Sequence, residues 1–351
     1  MSALQGKAYP SERQFFTDEI TGAKITRLTC FPTVNSKFYF HINQFTPDSK
    51  TLVFTAYREA GRASFPDVFK VNVDGTDLTQ LTDCATVSAP FLSYSGQYLY
   101  YMDQNKLVRV DINRFDEEIM TLIPGVKGPS GCMSLTLDDK TAFVDTELCN
   151  GRMGIVRIAT DTGEASIIYE GEKITHTQVE PIEGKTVAFQ YGPDDKGRNI
   201  WLMDSDGKNP RVLDLPHGNG HWMWLCQSKQ IMTNLESCCW GIACYGEGEK
   251  QVKTIISSDE HFWHASCSRD GKWIVSDTNW PDHGIKLIHA ESKKCATLCL
   301  SQSSNAHPQW THPHPSFSPD GRFVVYNSDM TGIPHVHLVE ISDAFKASFI
   351  S

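Results

Sequence analysis

One pattern recurs along the whole chain at intervals of about 45 residues. Each copy has a short polar segment, a tight turn, a lysine-like residue and an apolar strand, as in FTPDSKTLVF (45–54) and FSPDGRFVVY (317–326). The lysine-like position occurs seven times, at Lys50, Gln97, Lys140, Lys185, Lys229, Lys272 and Arg322. Repetition of this length is typical of architectures in which similar units pack side by side.

The residues of the repeated turn indicate which secondary structure each unit contains. Asp-Gly and related pairs before an apolar strand are typical of two-residue hairpin turns. Most copies carry a second hairpin signal further on, as in residues 69–82 and 200–213, so each unit has four antiparallel strands. A single sheet of this size cannot bury both faces. The sequence therefore predicts an all-β protein, a seven-bladed β-propeller with four-stranded antiparallel blades.

The two ends of the chain complement each other. The last repeat ends soon after the strand HVHLVEIS, whereas TGAKITRLT (21–29) near the N-terminus is similar to the fourth strand of the other units. We expect this N-terminal strand to complete the seventh blade and close the ring. No long Pro/Ser linker or helical block interrupts the repeat, which predicts a single domain over residues 1–351.

Composition excludes several classes of partner. Hydrophobic residues make up 40% of the chain, as in globular proteins, and no apolar run approaches the roughly 20 residues that span a bilayer. A net charge of −10 repels phosphate backbones, so nucleic acid is not an expected partner. The polar N-terminus, with Pro10, Glu12 and Arg13, does not fit a signal peptide. The sequence predicts no membrane partner and leaves the oligomeric state open.

The eleven cysteines are odd in number and form no CxxC motif. We expect them to be reduced thiols that pack as small apolar residues in a cytoplasmic protein.

Histidine recurs at one position of the repeat. The first strand of each blade lines the channel of a propeller, so residues at equal offsets should surround that channel. Eight or nine residues before the lysine-like position the chain has His41, Ser88, a Gly131-Cys132 pair, His176, His221, His264 and His314. Five of the seven positions are histidine, and the chain has only 13 histidines. Unrelated structural histidines would produce this register only by chance, so we predict a functional set at one mouth of the channel.

A metal site is predicted where histidines are densest. His312 and His314 flank Pro313, and alternate residues of an extended chain project to the same face. Gln309 precedes them by three residues, and His264 comes from the neighbouring blade. An HxH motif alone is more often structural, but three imidazoles and an amide oxygen without a thiolate fit Mn, Ni or Zn.

Other catalytic motifs are missing from the sequence. It contains no GxSxG, HExxH, P-loop or GxGxxG before a helix, which disfavours serine hydrolase and nucleotide chemistry. The tryptophans are concentrated in the second half, where sugar stacking and packing between blades are both open interpretations.

Two segments carry a family resemblance. QWTHPHPSFSPDG (309–321) and HASCSRDG (264–271) resemble the oligogalacturonate lyases, seven-bladed propellers that degrade short pectin fragments in the bacterial cytoplasm. The resemblance is most specific over the last third of the chain and looser at residues 54–62, 176–189 and 197–207. It implies a cytoplasmic polysaccharide lyase that acts on short oligogalacturonates.

The resemblance also implies roles for individual residues. A divalent metal, usually taken as manganese, would be held by Gln309, His312, His314 and His264. The base would be His221. Its partner arginine would be Arg198, although one extra residue separates it from the Trp-containing strand. The chain is shorter than expected between His264 and Gln309, which leaves the outer substrate subsites open.

The implied reaction is a β-elimination. The base removes the C5 proton of a uronate while the metal and Arg198 neutralise the carboxylate, and a neutral imidazole at His221 is a suitable acceptor. A protein of charge −10 needs local positive charge to bind such a substrate, and Arg58 and Arg62 are candidates. His41 and His176, at equivalent positions of other blades, are further candidate substrate contacts.

Two other functions remain open from the sequence. The repeat could form a non-catalytic TolB-like propeller that binds a protein partner, which predicts no metal. The same channel histidines could also serve a lyase or hydrolase that acts on another uronic polymer.

Overall fold

The computed structural model describes residues 4–58, 65–194, 196–215, 221–235 and 240–350. Their strands form seven antiparallel sheets arranged as the blades of a propeller, which confirms the predicted fold. The lysine-like residue of every repeat immediately precedes the second strand of its blade, as Lys272 precedes Trp273–Thr278 and Arg322 precedes Phe323–Ser328. The repeated turn therefore fixes the register of each blade.

The blades follow one another in chain order. Blades 1 to 3 consist of the strands Asn35–Lys37, Thr51–Ala56, Asp67–Asn72 and Thr79–Gln80; Val87–Leu92, Tyr98–Asp103, Lys106–Asp111 and Glu117–Leu122; and Val126–Leu135, Thr141–Leu148, Met153–Ala159 and Ala165–Gly171. Blades 4 to 6 consist of Thr175–Val179, Thr186–Gln190, Ile200–Asp204 and Arg211–Val212; Trp222–Trp224, Gln230–Leu235, Trp240–Gly246 and Lys253–Ser258; and Phe262–Cys267, Trp273–Thr278, Ile285–His289 and Lys294–Cys299.

Blade 7 is built from both ends of the chain. It contains Ser316–Phe317, Phe323–Ser328 and His335–Glu340, and then the N-terminal strands Lys24–Arg27 and Gln14–Thr17. Ile25 pairs antiparallel with Val339, which confirms the predicted ring closure. The strand Gln14–Thr17 was not predicted and gives this blade five strands.

A short C-terminal helix, Asp343–Ile350, was also not predicted. Its Phe349 is buried and lies edge-on to Trp273 of blade 6, with ring centroids 5.4 Å apart. No helix within the described ranges is long and apolar enough to span a membrane.

The hydrophobic core lies between neighbouring blades. One buried cluster combines Val275 and Leu287 of blade 6 with Val324 and Tyr326 of blade 7. Because this packing stacks the blades face to face, contacts join the first strands of blades 2 and 3, 3 and 4, 5 and 6, and 6 and 7. Side chains at the start of these strands are thereby brought together at one mouth.

Candidate active site

Three histidines converge at one mouth of the channel. His264 lies in the first strand of blade 6, whereas His312 and His314 lie between the 3-10 turn Gln309–Thr311 and the first strand of blade 7. One ring nitrogen of each lies within 4.8 Å of the others. The structure thus brings these three predicted ligands together across two blades, and their role in binding a metal stays a prediction.

Each of the three histidines has one ring nitrogen without a hydrogen-bond partner among the described residues. His264 Nε2, His312 Nδ1 and His314 Nε2 are buried, and none has a hydrogen-bond partner among the residues that the structure describes. Buried polar atoms in folded proteins nearly always have a partner. Burial also lowers the pKa of all three imidazoles, so they are neutral at neutral pH. Three neutral imidazoles that share one space fit a divalent transition metal.

Asp277 orients two of these histidines. It lies in the second strand of blade 6, and its carboxylate accepts hydrogen bonds from His264 Nδ1 at 2.8 Å and from the His264 and His314 amides at 2.6 and 3.2 Å. The bond at Nδ1 places the proton of His264 there and leaves Nε2 free to act as a ligand, as in many metal sites. Burial raises the pKa of Asp277 to about 6, while the two backbone hydrogen bonds oppose this rise.

The repeat contains a signal that could have identified Asp277. It is the fifth residue after Lys272, and the equivalent residue of blade 3 is Asp145. Asp145 likewise accepts from the amide of Cys132 in its own blade, at 3.0 Å, and from that of Thr177 in the next blade, at 3.1 Å. A buried carboxylate at this position therefore joins the first strands of two neighbouring blades.

Tyr39 connects the remaining channel histidines to the metal ligands. Its ring contacts His41, His176, His264 and His314, with centroid distances of 5.3, 5.5, 5.9 and 4.7 Å. Tyr39 therefore contacts four of the five predicted channel histidines, and the sequence did not identify it.

Lys37, like Tyr39, lies beside the predicted ligands but was not predicted from the sequence. Its buried Nζ donates hydrogen bonds to the carbonyl oxygens of Phe38 and His314, both at 2.6 Å. Burial lowers the pKa of Lys37 well below its ordinary value, against the attraction of Asp277. Lys37 thus anchors the backbone of one predicted metal ligand from blade 1.

His221 lies beside the three converging histidines. It precedes the strand Trp222–Trp224, and its ring centroid is 4.5 Å from that of His264 and 5.7 Å from that of Trp263. Its Nδ1 is buried and has no hydrogen-bond partner within the described part of the chain. Burial lowers the pKa of His221 to about 4, so its imidazole is neutral and can accept a proton at neutral pH.

His41 and His176 both contact the Tyr39 ring. Their ring centroids are 6.1 Å apart, and His176 Nδ1 lies 2.9 Å from Thr175 Oγ1. Burial lowers the pKa of His176 to about 4 and that of His41 well below its ordinary value. As substrate contacts, both stay predictions.

Arg198 lies in the loop between the second and third strands of blade 4. Successive strands are antiparallel, so this loop is at the same mouth as the start of the first strand. The guanidinium donates to Asp194 through Nε and Nη2, at 2.9 and 2.7 Å, and to Asp214 through Nη1 at 2.7 Å. Arg198 therefore lies at the end of the propeller where substrate is predicted to bind. However, its guanidinium already forms hydrogen bonds with Asp194 and Asp214.

The other predicted contacts have different environments. Gln309 is exposed at the start of the 3-10 turn, and its role as a ligand stays a prediction. Arg58 is only 5% exposed in its side chain and is held by Glu12, at 2.7 and 3.1 Å, and by Asn35 at 3.0 Å. Its predicted role in substrate binding stays untested, and Arg62 lies outside the described residues.

Comparisons with known proteins extend over nearly the whole chain, although no family model matches it. It is 24% identical to the oligogalacturonate lyase of Dickeya dadantii (strain 3937) and 23% identical to the oligogalacturonide lyase of Pectobacterium atrosepticum, in each case over 97% of this chain and 99% of the relative. A solved structure of an oligogalacturonate lyase in complex with manganese shares its fold, with a TM-score of 0.84, 22% identity and coverage of 98% of this chain and 100% of that one. These similarities confirm the resemblance to the oligogalacturonate lyase family that the sequence motifs indicated.

Proposed function

We propose that this protein is a lyase that cleaves short oligogalacturonates by β-elimination at the histidine-lined mouth of its channel. The observation that carries this proposal is the convergence of His264, His312 and His314, each of which has one buried ring nitrogen without a partner among the described residues. The relatives named oligogalacturonate lyases and the manganese complex of similar fold support it. A TolB-like binding propeller would not need such a cluster.

His264, His312 and His314 would hold the metal, with Gln309 adding an amide oxygen from the exposed turn. A divalent cation bound there, for which manganese is our first candidate, would neutralise the uronate carboxylate and make the adjacent C5 proton more acidic. Asp277 keeps His264 in the tautomer that binds a cation, and Lys37 fixes the backbone of His314.

His221 is the proposed general base. Its neutral imidazole takes the proton from C5, the C4–C5 double bond forms, and the C4–O bond to the next sugar breaks as that oxygen takes a proton from solvent. A positioned base of this kind contributes roughly 10²–10⁴ in rate. His221 contacts His264 but no role as a ligand is proposed for it, so its removal should affect the proton transfer more than metal binding.

Arg198 is the proposed carboxylate contact. Asp194 holds its Nε and Nη2, whereas the Asp214 side chain that holds Nη1 is 79% exposed. A substrate carboxylate can therefore replace Asp214 at Nη1 while Asp194 keeps the guanidinium oriented. Exchange of one carboxylate for another conserves the charge-assisted hydrogen bond.

Aromatic residues beside the cluster support a sugar substrate. The Trp263 ring lies 4.3 Å from that of His312 and 6.1 Å from that of Trp280, which is 78% exposed. Trp222 and Trp224, by contrast, are buried within the blades. Trp222 and Trp224 thus fit a role in packing. Trp263 and Trp280 instead offer stacking surfaces for pyranose faces.

We further propose that residues 1–351 form one domain and that the enzyme acts in the cytoplasm, as the family resemblance implies. The net charge of −10 disfavours a nucleic-acid partner.

The test is to incubate the purified, manganese-loaded protein with di- and trigalacturonate and to follow the ultraviolet absorbance of the unsaturated product. Oligomers of other uronic acids serve as competing substrates. Faster cleavage of another uronate would change the assigned substrate. A protein that neither takes up manganese nor cleaves any of these oligomers would favour the binding propeller.

His221→Ala tests the base. We expect a folded, metal-binding protein that has lost the chemical step, whereas Arg198→Ala should weaken both binding and rate. His289→Ala is the control, since it removes a buried imidazole from the third strand of blade 6. Near-normal turnover of His221→Ala would refute the assignment and direct attention to His176 and His41.

A further inference from the structure

Two cysteines meet where blades 5 and 6 adjoin. Cys226 follows the first strand of blade 5, and Cys267 ends the first strand of blade 6, the strand that carries His264 near its start. The Cys226 amide donates a hydrogen bond to Cys267 Sγ at 3.2 Å. Cys267 Sγ also lies 3.9 Å from the carbonyl oxygen of Trp224. The two cysteines are thus neighbours across a blade boundary.

Both cysteines line a cavity of about 130 Å³ together with Tyr94, Met223 and Arg269. Cys226 is half-buried, whereas Cys267 is only 8% exposed. The cavity therefore offers small solutes a route to this pair, and Cys226 is the more exposed of the two.

The surroundings of Cys226 favour its thiolate. A hydrogen bond from the Cys267 thiol and the nearby charge of Arg269 lower the pKa of Cys226, and donation of that hydrogen bond raises the pKa of Cys267. Burial instead raises the pKa of five other cysteines, Cys84, Cys132, Cys244, Cys295 and Cys299. Because the thiolate is the nucleophile, Cys226 should react before these five.

We propose that Cys226 and Cys267 form a redox-sensitive pair that small hydroperoxides convert into a disulfide between blades 5 and 6. The Cys226 thiolate attacks the terminal peroxide oxygen, the O–O bond breaks, and Cys226 becomes a sulfenic acid while the peroxide leaves as an alcohol or water. The Cys267 sulfur then attacks the Cys226 sulfur and displaces hydroxide, which leaves as water with the Cys267 proton. Two thiols are oxidised by two electrons and one peroxide is reduced. This proposal does not depend on the proposed lyase activity.

Peptide mapping of the native protein tests the pair directly. After one equivalent of hydrogen peroxide and alkylation, trypsin without reductant cleaves at Arg211, Lys229, Lys253 and Arg269. Cys226 and Cys267 then lie on separate peptides, 212–229 and 254–269, each with a single cysteine. We expect a cross-linked pair that is two hydrogens lighter than the sum of the two peptides and that dithiothreitol separates. Recovery of both peptides as alkylated thiols, while other cysteines are oxidised, would overturn the proposal.

Two variants separate the steps. In Cys267→Ser the second thiol is missing, so dimedone should trap a sulfenic acid on Cys226. Cys244→Ser, which removes another buried thiol from blade 5, should retain the cross-link and serves as the control. A Cys267→Ser protein without a dimedone adduct on Cys226 would refute Cys226 as the attacking thiol, and the wild-type peptide map tests the disulfide without any substitution.

Discussion

Substitution of Asp277 by asparagine should weaken metal binding without removing a ligand. The carboxylate accepts from the His264 ring and from the His264 and His314 amides. An amide has only one oxygen acceptor, so its NH₂ group must face at least one of these three N–H donors. A buried donor without a partner costs about 1–3 kcal/mol.

The expected effect on the metal follows from the same contacts. Without the carboxylate, His264 is no longer held in the tautomer and orientation that direct Nε2 towards the other two imidazoles. Removal of such a partner typically costs about 10–100-fold in metal affinity. We therefore expect the dissociation constant for Mn²⁺ to rise by about that factor, while the free energy of unfolding falls by about 1–3 kcal/mol.

Asp145→Asn is the matched control for this experiment. Asp145 has the same burial and the same position in the repeat, but its donors are the amides of Cys132 and Thr177, which are not metal ligands. Urea unfolding should show similar losses of stability in both variants. Competition with a chromophoric chelator should show weaker Mn²⁺ binding only in Asp277→Asn. Equal metal affinity in the two variants would refute the argument that Asp277 organises the site.

Three further predictions concern the proposed metal ligands, a tryptophan beside them and a buried histidine of blade 7. His312→Ala and His314→Ala should each strongly deplete the bound metal, which elemental analysis of protein purified without chelator will show; full occupancy in both would place the site elsewhere. Trp280→Ala should raise KM for trigalacturonate with little change in metal content, and an unchanged KM would exclude it as a stacking surface. Burial lowers the pKa of His337 to about 3, so the folded protein keeps this imidazole neutral while the unfolded chain binds a proton below about pH 6.5. His337 alone should therefore contribute a loss of about 2 kcal/mol in stability between pH 7 and pH 5, and in urea unfolding His337→Phe should reduce the total pH dependence by about that amount.

The repeat predicted the blades because each one depends on the same turn chemistry. It could not predict the strand Gln14–Thr17 or the helix Asp343–Ile350, since neither has a counterpart in the other blades. Three of the four residues of Gln14–Thr17 are exposed, so the strand lacks the apolar alternation that marks a half-buried strand.

The site was predictable only in part for a similar reason. Histidines at equal offsets were brought together because the blades are equivalent. Tyr39 lies in residues 38–44, where the first strand of blade 1 has already ended at Lys37, so strand periodicity gives no information about its direction. The repeat marks the position of Asp277 on its second strand, but a side-chain pattern does not reveal the hydrogen bonds to backbone amides on which its role depends.

The pairing of Ile25 with Val339 has a consequence for how this protein is made. Blades 1 to 6 each consist of one continuous segment and can form as that segment leaves the ribosome, whereas Lys24–Arg27 must wait for His335–Glu340 to be synthesised. Contacts between such distant segments form slowly, because a long loop must close first. Until then an unpaired strand edge is available to other chains, so nascent protein should be most vulnerable to aggregation just before the seventh blade is complete.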